Sequence, residues 1–220
     1  MTETTDDAFL GGALHMLQPR RGYRAGLDAV LLAASAPLPP VPVEGAPVRV
    51  IDVGAGAGVV GLCLARRLAH VEVVLVERDP VLAGLARENV GRNGLSGRVE
   101  VQEADVTAPL STLAALARRA GTFDLALANP PYYAEEAGTL APDALKARSH
   151  AMPDGMLDDW LRFMAAMVQP GGQIGLVHRA EDLDDVLAAC RRRFGALKIR
   201  PVHPYAGEPA NRILATGTKG

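Results

Sequence analysis

The sequence predicts an α/β fold, a single doubly wound and mostly parallel sheet of seven strands that ends in an antiparallel pair. Three observations carry this expectation. From Val48 onward, apolar runs rich in β-branched residues alternate with segments of helical length. A glycine-rich turn, Asp52-Val53-Gly54-Ala55-Gly56-Ala57-Gly58, joins the first of these runs to the first following helix. The two last strand-like runs succeed each other without a helix between them, which makes them antiparallel.

The elements follow in order. A Gly11-Gly12 turn separates two short runs, and a helix is expected from Gly26 to Ser35, with Leu27, Val30, Leu31 and Ala34 on one face. Residues 36–47 hold five prolines, which lack N–H donors and favour extended chain, so this stretch reads as a connecting loop. Strands are expected at Val48–Val53 and Val71–Val76, with a helix at Val59–His70 between them. Asp79-Pro80 has the form of an N-cap followed by proline at the first helical position, opening a helix that runs to Arg92 and stops at Asn93-Gly94. Strand Arg98–Gln102, helix Pro109–Ala120 and strand Phe123–Ala128 continue the alternation. A long loop, a helix at Asp154–Val168 and a strand from Gly171-Gly172 through Val177 come next. Helix Glu181–Arg193 and strands Leu197–Val202 and Arg212–Thr216 complete the chain.

Composition excludes several classes. The chain has 220 residues, 49% of them hydrophobic and 22% charged, and a net charge of −2, so it is no polycation that binds nucleic acid by bulk charge alone. Cys63 and Cys190 are far apart and lack CxxC spacing, which argues against a disulfide framework or a zinc ribbon and for a reducing cytoplasm. Both fall on apolar helix faces and read as core filler. The acidic start (Thr2 to Asp7) lacks the positive flank of a secretory signal, and no apolar run reaches the roughly 20 residues a membrane span needs. No membrane or metal is expected.

Three carboxylates mark the ends of three successive strands: Asp52 before Gly54, Gly56 and Gly58, then Glu77, then Asp105. Ligands of open α/β sheets bind beyond the carboxyl ends of the strands. Asp52 would welcome a cationic ligand and repel a pyrophosphate, Glu77 can accept from both hydroxyls of a ribose, and Asp105 can meet the amino group of an adenine ring. The combination points to S-adenosylmethionine rather than a nicotinamide dinucleotide. These residues resemble the pattern of class I, Rossmann-like methyltransferases. The resemblance divides the chain into a leader, residues 1–47, packed as hairpin and helix on a methyltransferase domain, residues 48–220.

Asn129-Pro130-Pro131-Tyr132 ends the fourth strand. An adenine amino group is a poor nucleophile because its lone pair is delocalised. Acceptors at the Asn129 side chain and the Pro130 carbonyl can each take an amino hydrogen and aim the lone pair at a methyl group, which is catalysis by orientation and electrostatics. Pro131 stiffens the loop, and Tyr132 offers a face for an extruded base. The tetrapeptide resembles the motif of amino-group methyltransferases, whose substrates include adenine N6 in DNA and RNA, guanine N2 in RNA and a glutamine of release factors. The motif alone does not separate these.

The segment from Gln18 to Leu32 is similar to that of the bacterial tRNA1(Val) (adenine-37-N6)-methyltransferase family. The resemblance implies N6-methylation of an adenine in RNA, in a tRNA anticodon loop, and makes Arg24 and Asp28 candidates for the carboxylate or amine end of the cofactor. The 47 residues before the first strand are fewer than the helical substrate domain of the glutamine-modifying relatives requires. A protein glutamine, another RNA amino group, and a non-catalytic RNA-binding scaffold remain the alternatives. From Ala188 onward seven Lys and Arg stand against Glu208 alone, so Arg191, Arg192 and Arg193 are candidate RNA contacts, or else a solvated helix end favoured by the dipole. Lys146 and Arg148, in the loop after the reacting motif, are further candidates. The oligomeric state is not legible.

Overall fold

The computed structural model describes residues 3–22, 24–39, 45–131 and 155–220. Its main sheet contains β3 (Val48–Val53), β4 (Val71–Glu77), β5 (Val99–Glu103), β6 (Phe123–Ala128), β7 (Val168–Arg179), β8 (Phe194–Val202) and β9 (Arg212–Lys219). Their order is β5-β4-β3-β6-β7-β9-β8. The first five strands of this order pair in parallel, and β9 runs antiparallel to both β7 and β8. The predicted doubly wound sheet with its terminal antiparallel pair is therefore the observed one. The chain moves from β3 outward to β5 and then returns to place β6 on the other side of β3. That reversal opens a crevice at the carboxyl ends of β3 and β6.

Helices α1 (Leu27–Ser35), α2 (Val59–Arg67) and α3 (Pro80–Arg92) cover one face, and α5 (Met156–Met167) and α6 (Leu183–Arg191) the other; α4 is a single turn, Ala114–Ala117. Strand residues alternate between two apolar layers, as the period of two demands. Val50, Leu75, Leu125, Leu127 and Leu214 pack toward Leu32, Leu62 and Leu64. Ile51, Val74, Val76 and Ala126 pack toward Leu161, Met164, Met167 and Val186. Cys63 and Cys190 fill these two layers, and burial pushes both thiols up to about 11. No helix among the described residues is long and apolar enough to cross a membrane.

A separate hairpin, β1 (Thr4–Phe9) with β2 (Leu14–Pro19), lies against α3. Two asparagines one helical turn apart hold it. Asn89 accepts from the Leu17 N–H at 2.7 Å and donates to the Leu17 carbonyl at 2.9 Å, while Asn93 does the same for His15 at 3.0 and 2.9 Å. The amide side chains thus take the place of a neighbouring strand for β2. Asn89 also donates to the Ala57 carbonyl at 3.0 Å, which ties the hairpin to the glycine-rich turn.

Several boundaries differ from the expectation. Helix α2 stops at Arg67, because Leu68 is extended and Arg98 donates to the carbonyls of Ala65, Leu68 and Val71 just beyond. The helix expected over Pro109–Ala120 is instead a 3-10 turn, Leu110–Thr112, and the short α4. Leu113 leaves helical geometry between them, and Thr112 Oγ1 donates back to the Pro109 carbonyl at 2.7 Å. Residues 180–182 form a 3-10 turn ahead of α6, which ends at Arg191. Strands β7, β8 and β9 are each longer than expected.

Candidate active site

Four loops meet at the carboxyl ends of β3, β4, β5 and β6 and enclose a pocket. Among its walls are Gly54, Gly56, Glu77, Asp105, Asn129 and Pro131. Six residues singled out in the sequence, separated by up to 77 positions, thus share one crevice. Leu82, Val106, Met156 and Trp160 supply apolar surface, and Arg78, Asp79 and Thr107 further polar groups.

Glu77 is buried, and each of its oxygens takes a backbone N–H: Gly56 donates to Oε2 at 2.8 Å and Asp79 to Oε1 at 2.9 Å. The carboxylate therefore fixes the glycine-rich turn and the start of α3 together. A carboxylate has about four lone-pair sites, so two remain for a ligand. Asp105 accepts on Oδ1 from the N–H and the hydroxyl of Thr107, at 2.9 and 2.7 Å. Asp79 caps α3 as expected, accepting from Val81 and Leu82 at 2.8 and 3.1 Å. Carboxylates beside flat apolar surface suit a nucleoside that carries hydroxyl donors, an amino group and a positive charge. S-adenosylmethionine has this chemistry.

Glycine is required at Gly54 for two reasons. Its φ is +67°, and a Cβ built there would lie 2.1 Å from Cη2 of Trp160. The indole of Trp160 packs on this turn while also lining the pocket. Trp160 is buried with Phe163 and Met164, to which it stands at helical spacing, but its contact with a turn more than 100 residues earlier leaves no local trace in the sequence.

Several candidates stand elsewhere. Asp52 does not line the pocket. It is 1% exposed and accepts from the Gly61 N–H at 2.9 Å, so it braces the first turn of α2 from behind the glycine-rich turn. Glycine at position 61 lets α2 sit this close to the sheet, since a Cβ there would come within 2.4 Å of Leu75 and 2.9 Å of Val73. Burial pushes the Asp52 carboxyl up to about 7; the Gly61 hydrogen bond opposes that rise and the nearby Glu77 charge adds to it. Gly58, with φ +93°, caps α2. Arg24 binds Asp7 at 2.7 Å, Thr5 at 2.7 Å and the Pro19 carbonyl at 2.9 Å, closing the turn after the hairpin. Asp28 pairs with Arg212 at 2.9 Å. Neither Arg24 nor Asp28 is in the pocket wall, because each is drawn to an opposite charge on a neighbouring element.

The three arginines at the end of α6 divide. Arg193 grips both oxygens of Asp158 at 2.7 and 2.9 Å, and this bond holds the Asp158 carboxyl below the ordinary range. Arg192 approaches the same carboxylate at 3.5 Å, and Arg191 is exposed. All three lead into Phe194, which pairs with Lys219 at the end of the sheet opposite Arg179 and Arg212. Tyr132, Lys146 and Arg148 lie outside the described residues.

The model of the methyltransferase small domain family matches residues 37–157. The chain belongs to that family. A tRNA1(Val) (adenine(37)-N6)-methyltransferase from Erwinia tasmaniensis is 35% identical over 198 residues, 89% of this chain and 75% of that protein. One of the same name from Aeromonas hydrophila is 32% identical over 204 residues, 91% and 78% of the two chains. Among solved structures, a predicted O-methyltransferase from Agrobacterium tumefaciens superposes with a TM-score of 0.69 at 34% identity, covering 88% of this methyltransferase and 81% of that chain. By family and by fold, the chain is an S-adenosylmethionine-dependent methyltransferase.

Proposed function

We propose that this methyltransferase transfers the methyl group of S-adenosylmethionine to N6 of an adenine in RNA, at position 37 of a tRNA anticodon loop, in the cytoplasm. One observation carries the reading: Asn129 and Pro131, directly after β6, wall the same pocket as Glu77 and Asp105. Names of the relatives from Erwinia tasmaniensis and Aeromonas hydrophila support the substrate.

Glu77 is the candidate for the ribose hydroxyls and Asp105 for the adenine amino group of the cofactor, with Gly54 and Gly56 letting it approach the backbone. When bound, S-adenosylmethionine supplies an electrophilic methyl carbon on sulfur and leaves as a neutral thioether. Asn129 Oδ1 and the Pro130 carbonyl accept the two hydrogens of the target amino group, which turns its lone pair toward the methyl carbon. Pro130 is buried, so the segment that carries both acceptors is held firmly. The amino nitrogen sheds its proton after the carbon–nitrogen bond has formed, and no strong base is needed.

The test is single-turnover methyl transfer from labelled cofactor to total tRNA, followed by nucleoside analysis. N6-methyladenosine is the expected product. Asn129→Ala is expected to slow the transfer step by about 10²–10³, the loss seen when a transition-state hydrogen bond is removed, with cofactor affinity little changed. Transfer at the wild-type rate in Asn129→Ala overturns the mechanism. Label recovered only in protein reassigns the substrate to a glutamine.

A further inference from the structure

On the face that carries α1, the helices leave the β9–β8 end of the sheet open. On β9 and β8, beyond α1, a groove of about 400 Å³ is lined by Lys198, Arg200, Thr216, Thr218, Gln173 and Ser35. Lys198 and Arg200 alternate on the same side of β8, about 6.6 Å apart at the usual strand rise. Every charged residue of β8 and β9 is basic. Arg212 is held by Asp28 and Lys219 donates to the Val168 carbonyl, whereas Lys198 and Arg200 have no ion pair among the described residues.

A second observation points to the same part of the molecule. The large apolar side chains left exposed among the described residues are Leu27, Val81 and Tyr205. Leu27 opens α1 beside the Asp28–Arg212 pair, Val81 opens α3 beside the pocket wall, and Tyr205 lies in the loop joining β8 to β9. Arg212 is in register with Arg179 and Val202, so this loop projects from the end of the sheet where the pocket opens. Tyr205 is 77% exposed, although its loop is ordered by the Glu208 N–H donating to the Tyr205 carbonyl and by His203 Nδ1 lying 2.7 Å from the Glu208 carbonyl.

We infer that β8 and its loop form the seat for the RNA backbone, with Lys198 and Arg200 on successive phosphates and Tyr205 stacked on an unpaired base beside the target. This rests on the proposed RNA substrate and moves the basic docking face from Arg191–Arg193 to the edge strand. Cations without an ion pair among the described residues, spaced at phosphate-like intervals, the hydroxyls of Thr216 and Thr218 beside them on β9, and an exposed ring at the pocket end match a single-stranded polyanion better than a protein surface. Lysine and proline on an edge strand also discourage edge-to-edge pairing, and Pro201 is on β8. That role alone would not alter RNA binding.

The experiment compares tRNA binding across a salt series and methyl transfer to tRNA for the wild type, the double variant Lys198→Ala/Arg200→Ala, Tyr205→Ala and Tyr205→Phe. Calorimetry with S-adenosylhomocysteine monitors the cofactor site in each. Losing two single-strand phosphate contacts is expected to flatten the slope of log affinity against log salt by about 1.4. Tyr205→Ala is expected to weaken tRNA binding about tenfold, within the range for one stacked base, and Tyr205→Phe to restore it. Cofactor affinity stays at the wild-type value throughout. Wild-type methylation of tRNA together with an unchanged slope in the double variant, or full binding by Tyr205→Ala, overturns the docking surface and leaves the substrate intact. A wild type that methylates no tRNA overturns both.

Discussion

Asp52 and Glu77 are both buried carboxylates near strand ends, yet only Glu77 faces the pocket. The difference is depth. Asp52 is in register with Leu75, two residues before Glu77 on the same side of the sheet, so it lies one step below the strand ends and meets the Gly61 N–H of α2, whereas Glu77 ends β4 at the pocket. The sequence displays a carboxylate before a glycine-rich turn but not how deep it lies beneath that turn. A consequence concerns pH. Unfolded, the Asp52 carboxyl titrates near 3.8, and folded near 7. Between those values the folded chain holds the extra proton, so the stability contribution of Asp52 falls as pH rises from about 4 to about 7 and does not recover above it. Asp52→Asn keeps an acceptor for Gly61 and cannot ionise. Between about pH 5 and pH 8 its melting temperature is expected to fall less than that of the wild type. Scanning calorimetry at both pH values measures this, and identical falls would remove Asp52 as the source. At Glu77 the expectation concerns the ligand instead. Glu77→Ala loses hydrogen bonds to a charged group worth roughly 1.5–3 kcal/mol each, so calorimetric affinity for S-adenosylhomocysteine should drop at least tenfold.

At the scale of elements, most of the alternation was legible because the buried parallel strands are continuous apolar runs. Strand β6 has the bounds its apolar run predicts, and α3 begins at the Asp79-Pro80 cap. The part that was not legible depends on partners distant in sequence. Leu113 departs from helical geometry inside a segment whose composition favours helix, and α2 stops where Arg98, some 30 residues later, reaches its last carbonyls. Hairpin docking belongs to the same category. Asn89 and Asn93 sit mid-helix and at a helix end, where asparagine ordinarily lowers helix propensity, and that spacing of four was the available signal. Asn89→Ala strands the Leu17 amide and the Leu17 and Ala57 carbonyls, a loss on the order of 2–4 kcal/mol. For a chain of this size the melting temperature should fall by roughly 5–15 °C. Asn93→Ala should cost less, because His15 is exposed and water can replace the lost bonds. Equal melting temperatures for Asn89→Ala and the wild type would show that apolar packing of Leu14 and Met16 alone retains the hairpin.

Over the whole molecule, counting charges misleads where charges are spent on one another. The basic C-terminal stretch looked like one field, but Arg193 and Arg212 are bound to Asp158 and Asp28, while Lys198 and Arg200 are not so engaged among the described residues. Arg92 and Arg24 similarly meet Asp6 and Asp7 of the acidic first strand. What binds the molecule into a unit at its functional end is the set of turns around the pocket: Glu77 joins β4 to the glycine-rich turn, Asn89 joins that turn to the hairpin, and Trp160 joins it to α5. A ligand that fills the pocket and spans these turns should therefore stabilise the fold as a whole. At 100 times its dissociation constant, a ligand bound only by the folded state adds about 2.7 kcal/mol. For a chain of this length that corresponds to a rise in melting temperature of roughly 5–10 °C. S-adenosylhomocysteine is expected to produce this rise in the wild type and in Lys198→Ala/Arg200→Ala, and to lose it in Glu77→Ala at the same concentration. Gly54→Ala should lose it too, since its Cβ and the Trp160 ring cannot both keep their places. A wild type whose melting temperature is indifferent to saturating S-adenosylhomocysteine would mean that these turns do not form the cofactor site.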